Sequence, residues 1–216
     1  MRIGIVGGTG DIGEGMALRL STRYDVIIGS REEEKAKTAS TTCRLRLDKL
    51  GKVCSLSGVS NQRAVDEADV VVLALPYKHL VPTIASLTGF EGKIVVSPVN
   101  PMEFGETVSY VPPPEGSAGL LLKKLLPESA RIVVAFNNIA AHRWQTIGED
   151  LDYSVAVCSD DDEAKRIVMD LINTISHLSA LDAGPLKNAA LVESLTPLIL
   201  NISKYNRMKD VGVYFR

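Results

Sequence analysis

Short apolar runs and longer amphipathic stretches alternate along most of the chain. Apolar runs that predict strands occur at residues 3–6 and 26–28 and within residues 69–76, 93–96 and 131–136. The run within residues 69–76 is of the kind that a parallel strand buried on both faces needs. Stretches with helical spacing of apolar side chains separate the runs. This order predicts an α/β fold whose N-terminal part is a Rossmann domain, with a doubly wound, mostly parallel sheet.

The less regular stretches give further expectations. The charged stretch Glu32–Leu50 predicts a helix, and Val53–Leu56 predicts a short third strand. Met102–Pro114 is the least helical part of the chain and is interpreted as a structured excursion between elements.

From about Ser154 the pattern changes. Residues 154–158 predict a short strand, and Ser159 is expected to cap a helix that begins with four acidic residues and runs to Ile175. Asn188–Asn206 then predicts one long helix, which Pro197 should kink because proline removes a backbone hydrogen bond.

A glycine cluster follows the first strand. Gly8, Gly10 and Gly13 match G-x-G-x-x-G between a strand and a helix, the context that gives this pattern meaning. Gly8 permits a tight turn, Gly10 lets backbone N–H groups approach a pyrophosphate, and Gly13 lets the helix lie close to the sheet. A simple tight turn is the alternative, but the complete βαβ context favours dinucleotide binding at the amino end of the helix.

The end of the second strand indicates which dinucleotide. An NAD enzyme usually has Asp or Glu here, whereas this chain has Ser30 and Arg31, with Lys35 one helical turn later. A hydroxyl, a guanidinium and an ammonium suit a 2′-phosphate, so NADP is favoured over NAD. The alternative is that both cations are solvated charges balanced by Glu32–Glu34.

Composition excludes several classes of protein. The chain has 216 residues, enough for one large domain or for one with a small appendage, and a formal charge of −2 with no basic stripe for nucleic acid. Cys43, Cys54 and Cys158 are scattered and are expected to be reduced thiols, which is typical of a cytoplasmic protein. The first strand starts at once, which leaves no room for a signal peptide, no apolar stretch reaches membrane-spanning length, and no metal site is expected.

Five segments together resemble one enzyme family. GGTGDIG, GSREEEKA, VVSP, LDAGPL and VESLTPLILNI are similar to the F420H2:NADP+ oxidoreductases of methanogens, other archaea and some bacteria, from residue 1 to about 212. The first two motifs are widespread among NADP enzymes, whereas the last two are more specific. The resemblance implies a Rossmann NADP-binding domain at residues 1–152 and a small α/β domain at residues 153–216 that closes a cleft for coenzyme F420. It also implies a homodimer and hydride transfer between deazaflavin C5 and nicotinamide C4.

The resemblance also implies site residues. Thr9, Gly10 and Ile12 would contact the pyrophosphate, whereas Ile139 and Thr196 would set the approach of the two reacting rings. Further cofactor-binding positions are Asp11, Leu75, Pro76, His79, Ser97, Val99, Asn137 and Asn138. No acid, base or metal is required, because the two cofactors carry the chemistry.

This chain departs from the family pattern at three places. Tyr77 replaces a tryptophan, Asn137–Asn138 replace a His-Thr pair, and Asp11 stands where asparagine is common. The departures leave the expected NADP binding little affected but bear on how the deazaflavin ring is held.

Several plainer alternatives stay open at this point. His79 is favoured as part of the first turn of the next helix, Ile139 could be an ordinary core residue, and Thr196 could bond a carbonyl one turn back. At the level of the whole chain, the alternatives are another NADP-dependent reductase, acting on an imine, a ketoacid or ferric iron, and an NADP-sensing regulator without turnover.

Overall fold

The computed structural model describes residues 1–209 and 211–215 as an α/β fold. The strands are β1 Arg2–Val6, β2 Asp25–Ser30, β3 Ser55–Ser60, β4 Val70–Leu73, β5 Ile94–Ser97, β6 Met102–Phe104, β7 Val108–Tyr110, β8 Arg131–Val134, β9 Tyr153–Val157 and β10 Leu178–Asp182. The helices are α1 Asp11–Leu20, α2 Glu33–Asp48, α3 Asn61–Glu67, α4 Leu80–Ala85, α5 Ala118–Leu125, α6 Ala141–Gln145, α7 Asp162–Asn173, α8 Ala189–Glu193 and α9 Leu195–Asn206.

The main sheet has six parallel strands in the order β3-β2-β1-β4-β5-β8. This order confirms the predicted Rossmann topology. The chain reverses direction across the sheet between β1 and β4, so the loops that follow these two strands diverge. A crevice opens there at the carboxyl edge of the sheet, where ligands bind in open α/β sheets.

Apolar layers cover both faces of this sheet. On one face, Met16 of α1 and Trp144 of α6 are fully buried against the strands. On the other face, Leu80, Phe90 and Leu122 fill the equivalent layer. The strands read as nearly continuous apolar runs because both of their faces are covered.

Strands β9 and β10 form a separate parallel pair at the edge of the main sheet. An antiparallel bridge between Val134 and Cys158 links this pair to β8. Val155 and Val168 belong to the same apolar cluster as Trp144, so the core continues across residue 152. The division into domains at residues 1–152 and 153–216 stays a prediction.

Several predicted boundaries are wrong. The third strand is Ser55–Ser60, because its pairing with β2 begins at Ser55, opposite Asp25, and Val53 lies outside it and is exposed. Strand β8 ends at Val134, and Phe136 takes a left-handed φ of 68°. Helix α7 ends at Asn173, two residues before Ile175.

The cap of α7 is not Ser159. The Ser159 hydroxyl donates to the Ile132 carbonyl of β8 at 2.6 Å. Asp161 is the N-cap, and its carboxylate accepts from Ala164 N–H at 2.8 Å. Ser159 Oγ accepts from Asp161 N–H at 3.1 Å instead of capping the helix, which begins two residues later than predicted.

The predicted long C-terminal helix is divided in two. Helix α8 ends at Glu193, and α9 begins at Leu195, with Ser194 between them. Pro197 has no N–H for the Glu193 carbonyl, and its ring would clash with that carbonyl in a continuous helix. Ser194 nevertheless keeps right-handed helical dihedrals, with φ −76° and ψ −10°, and its N–H donates to Ala190 O at 3.0 Å, so the interruption is local, as expected of a proline kink.

The excursion at Met102–Pro114 contains the antiparallel hairpin β6–β7. The Asn201 side chain fastens this hairpin to α9, since it accepts from Val108 N–H at 2.9 Å and donates to Val108 O at 2.7 Å. None of the helices within residues 1–209 and 211–215 is long and apolar enough to cross a membrane.

Candidate active site

The glycine loop after β1 is packed as the sequence predicts. A Cβ on Gly13 would lie 2.5 Å from Gly8 Cα, so α1 can approach the loop only with glycine at this position. Gly8 N–H donates to Gly29 O at 2.9 Å, which ties the loop to β2. Gly10 differs from these two, because a Cβ there would meet nothing closer than Gly7 O at 3.8 Å. Protein packing alone does not require glycine at position 10, and the open space above it is available to a ligand.

The amino end of α1 opens onto the same space. Gly10 is the N-cap, and no side chain caps the helix. The first N–H groups of the helix, from Asp11 and Ile12 onward, have no acceptor within the helix and carry its partial positive charge. Thr9 precedes the cap and is partly buried. This end of the helix is suited to an anionic group.

Cationic side chains lie at the carboxyl end of β2. Ser30 ends the strand and is buried, and its Oγ accepts from Glu32 N–H at 3.3 Å. The exposed Arg31 guanidinium has no hydrogen bond or ion pair with any described residue. Lys35 pairs with Glu32 at 2.7 Å, with both side chains largely exposed, so the pair is weak and easily exchanged.

The end of β4 forms the opposite side of the loop. Leu75 packs on Gly7, where an added Cβ would lie 2.4 Å from Leu75 Cδ2. Pro76 follows, and His79 lies in a one-turn 3-10 helix that leads into α4. This confirms the favoured local structure for His79.

A cavity of about 490 Å3 opens beside the amino end of α1. It brings together six predicted site residues from three parts of the chain: Asp11, Ile12, Asn137, Asn138, Ile139 and Thr196. Ile139 belongs to the apolar core and also lines the cavity, so both of its proposed interpretations describe its position. The other predicted residues do not line this cavity, and Ser97 and Val99 are buried behind it.

The loop after β8 is held in an unusual conformation on the cavity wall. Phe136 lines the cavity, and its φ of 68° lies in the region that non-glycine residues rarely adopt. Its ring packs edge-on against Trp144, with ring centroids 5.5 Å apart. This strained backbone conformation lies at the candidate site, and such conformations often occur at functional sites.

Several buried polar atoms around the cavity lack partners. Ser97 Oγ, Asn137 Oδ1 and Asn138 Oδ1 are buried and have no hydrogen bond within the described part of the chain. The amide nitrogens are occupied, since Asn138 Nδ2 donates to Ser154 O at 2.8 Å. Orphaned acceptors are rare in folded proteins and cluster here at the candidate site.

Thr196 does not bond a carbonyl one turn back. Its hydroxyl donates to the backbone carbonyl of Asn137, across the cavity wall. It also accepts from Asn100 Nδ2 at 3.1 Å. Asn100 lines the cavity but was not among the predicted site residues. The sequence places Asn100 in a proline-flanked loop after β5, and that position at the sheet edge is the signal that could have identified it.

The sequence is similar to known proteins over nearly its whole length. Residues 2–101 match the family described as "NADP oxidoreductase coenzyme F420-dependent". The F420-dependent NADP reductase of Methanocaldococcus jannaschii is 36% identical over 217 residues, covering 99% of this chain and 97% of the relative. The chain belongs to the F420-dependent NADP reductase family.

Two further comparisons agree. The F420-dependent NADP reductase of Methanothermobacter thermautotrophicus is 35% identical, covering 99% of this chain and 94% of the relative. The crystal structure of a candidate F420-dependent NADP reductase from Arthrobacter sp. FB24 superposes with a TM-score of 0.80 at 23% identity, covering 100% and 99% of the two chains. This last likeness bears on the fold alone.

The two C-terminal segments of the predicted resemblance, VESLTPLILNI and LDAGPL, lie in different places. Thr196, Ile199 and Leu200 of VESLTPLILNI line the cavity. No residue of LDAGPL lines it. In that motif, Asp182 instead accepts from Gly184 N–H at 2.7 Å and pairs with Lys165 at 3.1 Å. LDAGPL therefore forms the turn after β10.

Glu193 lies in VESLTPLILNI and, like Asn100, was not among the predicted site residues. It is fully buried, and its carboxylate accepts from Ala118 N–H, Gly119 N–H and the Tyr110 hydroxyl, each at 2.9 Å. Burial raises its pKa, and these three hydrogen bonds oppose the shift. Glu193 thus joins the hairpin, the start of α5 and the end of α8.

Proposed function

We propose that this chain catalyses reversible hydride transfer between reduced coenzyme F420 and NADP+. The observation that carries the proposal is identity of 33–36% over nearly the whole length to three F420-dependent NADP reductases. Hydride moves between nicotinamide C4 and deazaflavin C5, and the cofactors supply this chemistry.

The glycine loop fits the NADP half of the proposal. The uncapped end of α1 and the open space over Gly10 would receive the pyrophosphate, next to Thr9, Asp11 and Ile12. Ser30, Arg31 and Lys35 would hold the 2′-phosphate. The guanidinium of Arg31 supports this role, because it has no partner among the described residues that an anion would have to displace. Leu75, Pro76 and His79 would line the NADP pocket.

The cavity fits the reacting rings. Ile139 and Thr196 would set the distance between them, and Asn137, Asn138, Ser97 and Val99 would support the cavity wall. Hydride transfer requires the two carbons to approach within about 3–3.5 Å in a site that excludes water. The chain contributes binding, orientation and exclusion of water, and we assign no acid or base to it.

The wider organisation is also part of the proposal. Residues 153–216 would close the cleft over F420, since α9 forms one wall of the cavity. The enzyme would be a homodimer, associating through the exposed apolar side chains Leu191, Leu198, Ile202 and Tyr205. The free thiols of Cys43, Cys54 and Cys158 support a cytoplasmic location.

The direct test mixes the purified protein with NADPH and oxidised F420. We expect the deazaflavin absorbance to bleach at a rate proportional to enzyme, and to return when NADP+ is added in excess. Persistent absorbance would contradict the proposal. Tight NADPH binding without turnover would then favour a sensing protein, whereas NADPH oxidation by an imine, a ketoacid or ferric iron would indicate another reductase.

A further inference from the structure

We infer that Asn100 is a positioning residue for hydride transfer, and that it acts by holding the Thr196 hydroxyl in one orientation. The inference rests on the proposed function above. Asn100 lies in the loop after β5, Asn137 in the loop after β8 and Thr196 in the first turn of α9. Side chains from three separate segments therefore meet on the wall of one cavity.

The three residues form a closed set of hydrogen bonds. Asn100 Nδ2 donates to Asn137 O at 3.0 Å and to Thr196 Oγ1 at 3.1 Å. Asn137 Nδ2 donates back to Asn100 Oδ1 at 3.0 Å and to Val99 O at 3.1 Å. Rotating either amide by half a turn would place oxygen against oxygen, so the neighbours fix both orientations.

These hydrogen bonds leave one lone pair of the Thr196 hydroxyl available. A hydroxyl has one hydrogen to donate and two lone pairs that accept. The hydrogen goes to the Asn137 carbonyl, and one lone pair accepts from Asn100. No other donor from the described residues reaches the second lone pair. Thr196 therefore presents an acceptor to the cavity. It favours a bound ring that carries an N–H donor, for example in a carboxamide substituent.

An isosteric change at Asn100 isolates this effect. In N100D, a carboxylate oxygen replaces the amide nitrogen that faces the Asn137 carbonyl and the Thr196 hydroxyl. The hydroxyl hydrogen then turns to the carboxylate, and Thr196 no longer has the same free lone pair. Protonation of the new carboxyl restores a donor, so the defect should lessen as the pH is lowered.

The experiment measures the single-turnover rate of hydride transfer from NADPH to F420 in wild type, N100D, T196V and the double variant. We expect N100D and T196V each to be about tenfold slower, the loss of about one well-placed hydrogen bond. The double variant should be no slower than T196V, because Asn100 acts only through Thr196. The NADPH dissociation constant should change less than the rate does, since the proposed anchors of the pyrophosphate and the 2′-phosphate lie elsewhere.

N173D is the matched control. Asn173 ends α7, outside the cavity, and its Oδ1 accepts from Ala180 N–H, a bond that aspartate can also make. It should keep the wild-type rate.

Three results would overturn the inference. They are a wild-type rate in N100D, slowing in the double variant equal to the product of the two single effects, and an N100D defect that does not change with pH. A wild-type protein that transfers no hydride would instead overturn the proposed function. The free energy of unfolding of the same four proteins, measured in urea, would then test the contact between Asn100 and Thr196 by itself. Additive losses of stability in the double variant would show that Asn100 does not hold Thr196.

Discussion

Arg31 shows how one side chain can decide cofactor choice without contributing to the fold. It follows the last residue of β2, is exposed, and has no partner within the described part of the chain. Its charge therefore contributes little to stability and is available to a ligand. The role proposed for it predicts an effect on affinity that depends on the 2′-phosphate.

We expect R31A to weaken NADPH binding by about 10–100-fold, the loss of charge-assisted hydrogen bonds worth about 1.5–3 kcal/mol. NADH binding should change by less than about twofold, because NADH has no 2′-phosphate. Titration of nicotinamide fluorescence with each nucleotide measures both constants.

Arg23 provides the matched control for this variant. It is exposed, its guanidinium has no described partner, and it precedes β2 rather than following it. R23A should bind NADPH as wild type does. Equal losses of NADPH and NADH affinity in R31A would refute a role in 2′-phosphate recognition.

At the scale of elements, Glu193 joins three parts of the chain through one carboxylate. It supplies acceptors to the first N–H groups of α5 and to the hairpin through Tyr110. Because burial raises the pKa of Glu193, the folded state binds a proton more readily than the unfolded state. The contribution of this group to stability is therefore greatest at acid pH. It declines as the pH rises from the ordinary value of 4.5 through the raised pKa.

E193Q should lower the free energy of unfolding by about 1–3 kcal/mol, because an amide nitrogen faces a backbone N–H that then lacks an acceptor. The difference between wild type and E193Q should shrink as the pH rises above 4.5, because only the wild-type group titrates. Urea unfolding at several pH values measures this difference. E128Q is the control, since Glu128 is exposed and has no ion pair within the described residues. A difference that grows with pH would contradict the argument.

The elements differ in how well the sequence predicts them. The opening βαβ unit depends on local spacing, so Gly8, Gly10 and Gly13 could be interpreted without the structure. The cap at Asp161 could not, because Ser159 bonds Ile132, 27 residues away. The tertiary partners of Glu193 and Asn100 escaped prediction for the same reason, since each lies more than 30 residues from its partner.

At the scale of the whole molecule, α9 has two apolar faces with separate surroundings. Thr196, Ile199, Leu200 and Ser203 recur at helical spacing and line the cavity. Leu198, Ile202 and Tyr205 recur on another face and are exposed, and Leu191 of α8 is exposed as well. Exposed apolar side chains grouped in this way are typical of an interface between proteins. A second copy bound to this face would leave the cavity face of α9 in place.

We therefore expect wild type to elute with a mass twice 23.3 kDa in size-exclusion chromatography with light scattering. L198E should shift it toward the monomer, because a charge buried in an apolar interface costs several kcal/mol. L45E is the matched control, since Leu45 is 57% exposed and Leu198 is 55% exposed, and Leu45 lies on α2, away from this face. A monomeric wild type, or an L198E dimer as stable as wild type, would exclude this face as the interface. Hydride transfer by a monomeric L198E would further show that one copy holds a complete site, as expected if the outer face of α9 serves association alone.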